Sequence, residues 1–297
     1  MFKAGLIPHE LHEVAKTAAE TGSPLGISGE KFAERADWMG DEHDVEIPMD
    51  VEQADVLAVM SSIEINKYPE SMAATAKILN AAGETWTFRT DGFEATNFGM
   101  LSGNPDWQKE STMKLIDAAI KIGAKMIVLP ECGHAYMALR WMGANMYGKP
   151  LPFKVMHISE YMADALNTGK IKVKKVNKSV TYHDPCQVSR RGGATQAARD
   201  VIKHLGVDFR EMEYGGDYNW CCGGGGGVVT IKRADPLRHR VFKLKMDQVE
   251  KTEADQLLSS CANCRQSFDD SQQHFNWDYT MGSLMEMVAE NLEEVKS

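Results

Sequence analysis

Residues 221–227 read Cys-Cys-Gly-Gly-Gly-Gly-Gly, and this stretch, with the cysteines on either side of it, decides how the chain is interpreted. Cys186 lies upstream in the run Asp-Pro-Cys, and Cys261 and Cys264 lie downstream in the run Cys-Ala-Asn-Cys. Five of the six cysteines therefore fall in the C-terminal part of the chain. Such a concentration indicates a metal or cluster site.

The spacing of the cysteines limits which group they could hold. Two residues separate Cys261 from Cys264, so both sulfurs can turn toward one centre, whereas the side chains of Cys221 and Cys222 point apart. One tetrahedral zinc takes four ligands, and five cysteines with an adjacent pair fit it poorly. A multi-iron centre offers several separate thiolate positions and fits better.

The glycine run favours the same interpretation. Gly223 and Gly224 have no Cβ, so their backbone can approach a group closely and aim N–H groups at an anionic cluster. A run of five glycines alone would more often indicate a mobile loop. Directly after Cys221-Cys222 we interpret it as a cluster cradle.

Three other interpretations of the cysteines stay open. A disulfide framework suits small secreted chains, but this chain has 297 residues and no recognisable signal segment. A redox pair at Cys261 and Cys264 would leave the other three cysteines unexplained. Structural zinc on four of the five remains the main alternative occupant.

The cysteine pattern resembles the CCG cysteine-rich domain of heterodisulfide reductase subunits B and D. Relatives include subunits of sulfite-reductase-associated and sulfur-oxidation complexes, and iron-sulfur subunits of glycolate, lactate and glycerol-3-phosphate oxidation. The resemblance covers about residues 51–297. It implies a non-cubane [4Fe-4S] cluster where a disulfide is cleaved or two thiols are joined, with the following ligands: Cys186, Cys221, Cys222, Cys261 and Cys264.

Family members usually carry this domain twice, and the chain shows traces of a repeat. Residues 158–166 can be laid on residues 284–292, with Glu, Ala, an acid and Leu coinciding. A neighbouring shift places Cys132 on Cys264, while residues 90–99 hold no cysteine where a first Cys-Cys-Gly is expected. We therefore predict an N-terminal extension and linker at 1–50, a half that has lost its cluster at 51–170, and a cysteine-complete half at 171–297.

Three residues outside the five cysteines are candidate catalytic groups. Cys132 follows an apolar run and is interpreted as a sixth thiol or substrate-handling group facing the cluster; the alternative is a buried cysteine packing as a small hydrophobe. His134 and His183 could move protons to and from thiols near neutral pH, although histidines at such turns are more often hydrogen-bonding supports.

Strand and helix signals alternate, which predicts an α/β fold of two diverged repeat halves with largely parallel sheets. Ligands of such sheets lie at the carboxyl ends of strands, so the cluster is expected in the cleft between the halves. The predicted strands are 54–61, 85–89, 125–130, 179–183, 208–213 and 256–260, and the predicted helices are 10–20, 69–82, 105–122, 194–205 and 236–253. Residues 40–49 are acidic and predicted to be a linker.

Composition limits the partners. The net charge of −9 disfavours nucleic acid, and no apolar run is long enough to span a bilayer, so direct membrane insertion is not expected. Reduced thiols suit the cytoplasm. Because no further cysteine-rich set is present, electrons are expected to come from a ferredoxin-like iron-sulfur subunit and from flavin-containing or membrane electron-transfer subunits. The helix near residues 10–20 could dock such a partner or pack on its own domain.

These observations predict an iron-sulfur subunit of a heterodisulfide-reductase-like complex. It would catalyse redox chemistry on a thiol, a disulfide or protein-bound sulfur. Two alternatives are an electron relay in a hydroxy-acid or quinone-linked dehydrogenase and a zinc-bearing assembly module without redox activity.

Overall fold

The computed structural model describes residues 2–293, which divide into two compact units at Ile158/Ser159. The domain boundaries expected from sequence, at 50/51 and 170/171, stay predictions. Each unit contains one four-stranded sheet with every strand pair parallel. The predicted α/β class with two similar halves is therefore confirmed.

The first unit surrounds a sheet with the strand order β2-β1-β3-β4. Its strands are β1 (Val56–Ala58), β2 (Trp86–Thr87), β3 (Met126–Leu129) and β4 (Lys154–His157). Its helices are α1 (His9–Thr21), α2 (Gly29–His43), α3 (Ser62–Lys67), α4 (Glu70–Ala81), α5 (Phe98–Ser102), α6 (Pro105–Lys121), α7 (Gly133–Tyr136) and α8 (Gly143–Tyr147). A π-helical turn, Met137–Trp141, joins α7 to α8.

The second unit repeats the arrangement with the strand order β6-β5-β7-β8. Its strands are β5 (Ser179–His183), β6 (Asp208–Phe209), β7 (Gln256–Ser259) and β8 (Thr280–Ser283). Its helices are α9 (Ile158–Asn167), which begins at the last residue of the first unit, α10 (Thr195–Leu205), α11 (Asp235–Glu250), α12 (Ala262–Phe275) and α13 (Leu284–Glu290).

The central strands of both sheets are largely buried because helices cover the sheet faces, as parallel sheets require. All five residues of β5 are buried, as are all three of β1. The repeat predicted from sequence is visible in the elements: β4 and β8 begin 126 positions apart, and so do α9 and α13. In both places the strand runs directly into the helix, β4 into α9 and β8 into α13.

The predicted linker at 40–49 is wrong at its start, because Gly40 to His43 form the last turn of α2. The side chain of Ser28 caps this helix by accepting a hydrogen bond from the Lys31 backbone N–H. Its buried face carries Phe32, Ala36 and Met39, spaced for one side of a helix. The acidic residues that resembled a linker occupy the solvent side.

The helix predicted at 10–20 is confirmed as α1, and it packs on its own unit. Leu11, Ala15 and Ala18 form a buried cluster with Phe98 of α5, and Trp107 of α6 packs against that cluster. Since this apolar face is covered within the unit, the structure favours the packing role over a partner dock.

Candidate metal centre

The five cysteines of the C-terminal half lie at the carboxyl ends of the two central strands of the second sheet. Cys186 follows β5, and Cys261 follows β7 at the N-cap of α12, which places Cys264 in the first helical turn. Cys221 and Cys222 lie on the long connection between β6 and α11. Parallel topology thus assembles the cysteines from three separate segments.

The sulfurs form one connected chain. Side-chain interactions link Cys186 to Cys221, Cys221 to Cys222, Cys222 to Cys264, and Cys264 to Cys261. Hydrogen bonds from Cys186 and Cys222 hold the pKa of Cys221 far below its usual range. The same bonds raise the pKa of Cys186 and Cys222. Negative charge in this group of cysteines is therefore concentrated on Cys221.

Two glycine N–H groups point at these sulfurs. The Gly223 N–H donates to Cys221 Sγ at 3.3 Å, and the Gly224 N–H donates to Cys222 Sγ at 3.4 Å. Gly223 has a φ of 86°, which favours glycine. A Cβ on Gly224 would lie 2.9 Å from the Cβ of Ser267, which is too close. Both glycines singled out from sequence therefore occupy positions where a side chain is excluded.

Helix α12 fixes the glycine-rich loop from the other side. The Ser267 hydroxyl donates to the Cys222 carbonyl at 2.9 Å, and the Asn263 side-chain amide donates to the Gly224 carbonyl at 3.0 Å. The loop and the helix therefore hold Cys222 and Cys264 in a fixed relation.

His183, the last residue of β5, lies beside the same sulfurs. One of its ring nitrogens and the sulfurs of Cys222 and Cys264 lie within 4.8 Å of one another. The imidazole is fully buried against the ring of Phe268, and neither ring nitrogen has a hydrogen-bond partner. Burial, helped by the positive charge of Lys245, lowers the pKa of His183 well below its usual value. A neutral imidazole with two unused nitrogens is thus aimed into the cysteine cluster.

A buried ion pair positions the Cys186 segment. The Asp184 carboxylate accepts two hydrogen bonds from Arg199, at 2.8 and 2.9 Å, and a third from the Gly216 N–H. The Asn219 side chain donates to the Asp184 carbonyl. These contacts tie the segment after β5 to the loop that leads into Cys221.

Sequence reasoning missed Arg199 and Lys245. Arg199 lies on α10, and nothing in its sequence context distinguishes it from a surface arginine. Lys245 lies on α11 and its side chain is fully buried, and burial lowers the pKa of its ammonium to about 8. The one sequence signal for a partnered Lys245 is Gln248, which lies three residues later and accepts its hydrogen bond.

The remaining two candidate residues, Cys132 and His134, belong to the first unit. Cys132 is buried at the N-cap of α7, where its sulfur accepts a weak hydrogen bond from the Ala135 N–H at 3.5 Å. This is the same local position that Cys261 holds before α12, so the elements match Cys132 with Cys261, whereas the sequence shift matched it with Cys264. His134 is half-buried in α7.

The set in the second unit fits an iron-sulfur group. None of the six cysteines, all of which lie in the described residues, forms a disulfide. Five linked sulfurs exceed the four positions of tetrahedral zinc, and the buried, unpartnered nitrogens of His183 lie beside them. Soft thiolate donors suit zinc, copper(I) and iron-sulfur clusters, so the number of sulfurs is what favours the iron-sulfur group. The structure thus brings together Cys186, Cys221, Cys222, Cys261, Cys264, Gly223, Gly224 and His183.

No helix within residues 2–293 is both long and apolar enough to cross a bilayer.

Residues 180–269 match the family described as CCG, the cysteine-rich domain. The chain is 34% identical over 227 residues to a subunit of the dihydromethanophenazine:CoB--CoM heterodisulfide reductase of Methanosarcina mazei, covering 74% of this chain and 54% of that protein. It is 35% identical over 190 residues to the corresponding protein of Methanosarcina barkeri, covering 63% of this chain and 46% of that protein. The chain thus spans about half the length of these relatives.

A more distant relative is named for a different activity. The chain is 24% identical over 274 residues to the EtfAB:quinone oxidoreductase of Syntrophomonas wolfei, covering 88% of this chain and 37% of that protein.

Proposed function

We propose, from the premise that residues 180–269 are a CCG cysteine-rich domain, that this chain is a heterodisulfide-reductase-like iron-sulfur subunit acting on sulfur groups. The observation that carries the proposal is the connected chain of five sulfurs with a buried, unpartnered imidazole beside it. Its likeness to two proteins named for heterodisulfide reduction supports it.

The proposed ligands of a non-cubane [4Fe-4S] cluster are Cys186, Cys221, Cys222, Cys261 and Cys264. When bound, this group would supply the electrons and an iron site for a substrate sulfur. Gly223 and Gly224 would lower the charge on two of the ligands through their N–H groups, which already point at sulfur. The cluster type is part of the proposal.

The proposed reaction converts a disulfide, two electrons and two protons into two thiols, or runs in reverse. Direction follows the potentials of the partners. His183 is proposed to pass a proton at the cysteines, because its nitrogens have no other partner; its lowered pKa means that it would hand the proton on and not hold it. Cys132 and His134 are kept as proposed substrate-handling groups.

The proposed partners are a ferredoxin-like iron-sulfur subunit and flavin-containing or membrane electron-transfer subunits. The substrate is a thiol, a disulfide or protein-bound sulfur. The relatives include proteins named as a heterodisulfide reductase and as a quinone oxidoreductase, which supports the electron-transfer setting.

A second candidate is an electron relay that binds no sulfur substrate. It is favoured by the likeness to a quinone oxidoreductase across 88% of this chain. Zinc is a third candidate, since Cys222, Cys264 and His183 alone could supply three of its ligands. That arrangement would leave Cys186 and Cys221 without a function.

The test begins with iron, acid-labile sulfide and zinc content of anaerobically purified protein. We expect about four irons per chain. An electron paramagnetic resonance spectrum of the oxidised protein should change when a thiol is added. Iron without a thiol response would assign the relay, and zinc without iron would contradict both redox functions.

Cys222→Ser is the decisive variant. Its sulfur links the two ends of the chain of contacts, through Cys221 and Cys264, so we expect most of the iron to be lost. Full iron content in Cys222→Ser would contradict the proposed ligand set.

A further inference from the structure

Two long basic side chains on α11 are buried, and they are satisfied in opposite ways. Arg238 donates to the carboxylates of Asp235 and Asp270 at 2.8 and 3.0 Å. Lys245, which is 1% exposed, donates to the neutral amide oxygen of Gln248 at 2.8 Å and approaches the thioether of Met212 at 3.7 Å. Within residues 2–293, no carboxylate lies within ion-pair distance of Lys245. Its charge is therefore buried without a side-chain counter-ion.

An isolated ammonium in a protein interior is costly unless an opposite charge compensates it. The apolar cluster next to the ammonium supplies the candidates: Met212, which the ammonium touches, packs in one core with Cys222, Cys261 and Cys264. The charge of Asp184, which Arg199 already pairs, favours the protonated lysine, and so does negative charge on Cys222, Cys264 and Cys221. As thiolate ligands of a bound metal, these sulfurs would carry the negative charge that compensates the buried ammonium.

Two other basic residues near the cysteine motifs already have partners. Arg190 donates to the carbonyls of Asp217 and Asn219, and Arg265 forms a bidentate pair with Glu286. The Glu286 carboxylate neutralises the charge of Arg265, and the two carbonyl oxygens fix the guanidinium of Arg190.

We propose that Lys245 is the fixed counter-charge of the metal centre and sets its reduction potential. A nearby positive charge stabilises the reduced form, which carries one more electron, so it makes the centre easier to reduce. Gln248 positions the ammonium without neutralising it. This role is electrostatic and needs no contact with substrate. It rests on the proposed function only in requiring that the five cysteines hold iron.

The experiment compares the midpoint potential of the bound iron in four anaerobically purified full-length proteins, followed by electron paramagnetic resonance during a redox titration. Lys245→Met removes the charge at similar volume. Gln248→Glu keeps the lysine and gives it a carboxylate partner. Lys243→Met is the matched control, because Lys243 lies on the same helix with its side chain 61% exposed.

We expect both Lys245→Met and Gln248→Glu to shift the midpoint potential to more negative values, and Lys243→Met to leave it at the wild-type value. Salt screens an exposed charge, whereas a buried one acts at close range. If Lys245→Met takes up no iron, the potential of Gln248→Glu decides.

Three outcomes would overturn the assignment. One is an unchanged potential in both buried variants; another is a shift in Lys245→Met alone, which would identify a packing effect. A third is an equal shift in Lys243→Met. Wild-type protein without iron would instead contradict the proposed function, so the two failures are distinguishable.

Discussion

Glu94 is a half-buried carboxylate at the place where a first Cys-Cys-Gly was expected. It accepts hydrogen bonds from the backbone N–H and hydroxyl of Ser62 and from the Thr96 N–H. Burial outweighs these bonds and raises its pKa to about 7. In the folded state Glu94 therefore holds a proton that the unfolded chain has already lost.

This shift predicts a pH dependence of stability. Between about pH 4.5 and 7 the folded state binds more protons than the unfolded state, so the contribution of Glu94 is lost as pH rises through that window. We expect the urea midpoint of Glu94→Gln to rise relative to wild type from pH 5 to pH 8.

The measured quantity is the difference in urea midpoint between Glu94→Gln and wild type at each pH. Taking this difference cancels the contributions of other groups whose protonation differs between the folded and unfolded states in the same window. His157 is one such group, because burial lowers its pKa from 6.5 to about 3 in the folded state. Parallel pH curves for the two proteins would contradict the shift at Glu94.

At the residue scale, sequence identified the cysteines and missed the groups around them. The five cysteines and His183 could be predicted because their types and spacing are rare outside metal sites. Arg199 and Lys245 could not, because a basic residue on a helix is ordinarily exposed and only the packing of neighbouring elements shows that these two are buried or paired.

At the element scale, the loop after Cys222 has one face against α12 and one open to solvent. A Cβ on Gly224 would meet Ser267 at 2.9 Å, whereas a Cβ on Gly225 would meet nothing within 4 Å. We expect Gly224→Ala to destabilise the protein by about 1–3 kcal/mol, as overpacking does, and to lower its iron content. Urea unfolding and iron analysis would measure both effects.

Gly225→Ala is the matched control and should be close to wild type in both measurements. Equal stability and iron content in the two alanine variants would show that Gly224 is not required for the close approach of the loop to α12.

The elements that could be predicted, five of the helices and six of the strands, are those whose apolar residues follow a clear period. The predicted strand 179–183 coincides with β5, and the predicted helix 105–122 ends one residue beyond α6. The strand predicted at 208–213 is β6 at only two residues, since Arg210 onward turns into the loop that leads to the cysteines. The strands β4 and β8 escaped prediction because each runs into a helix without a turn signal.

At the scale of the whole chain, there are two sheets of equivalent strand order, and all five clustered cysteines belong to the second unit. The chain is therefore expected to hold one cluster. Cys132 is the sole cysteine of the first unit, and one sulfur cannot hold a cluster that needs four protein ligands. We expect Cys132→Ser to keep the full iron content of wild-type protein, measured by iron and sulfide analysis.

Loss of iron in Cys132→Ser would contradict the assignment of all ligands to the second unit. Retained iron with a lost thiol response would support Cys132 as a substrate-handling group. Sequence could predict the repeat because the shift of 126 residues relates β4 and α9 to β8 and α13.

The adjacent cysteines differ in exposure, because Cys222 is buried in the core whereas Cys221 is exposed. Susceptibility of a sulfur to oxidation follows thiolate character and exposure, and Cys221 has both. Dissolved oxidants therefore meet Cys221 first, and damage in air is expected to start there and move inward. The exposed sulfur of the pair is therefore also the one at which oxidation of the centre is expected to begin.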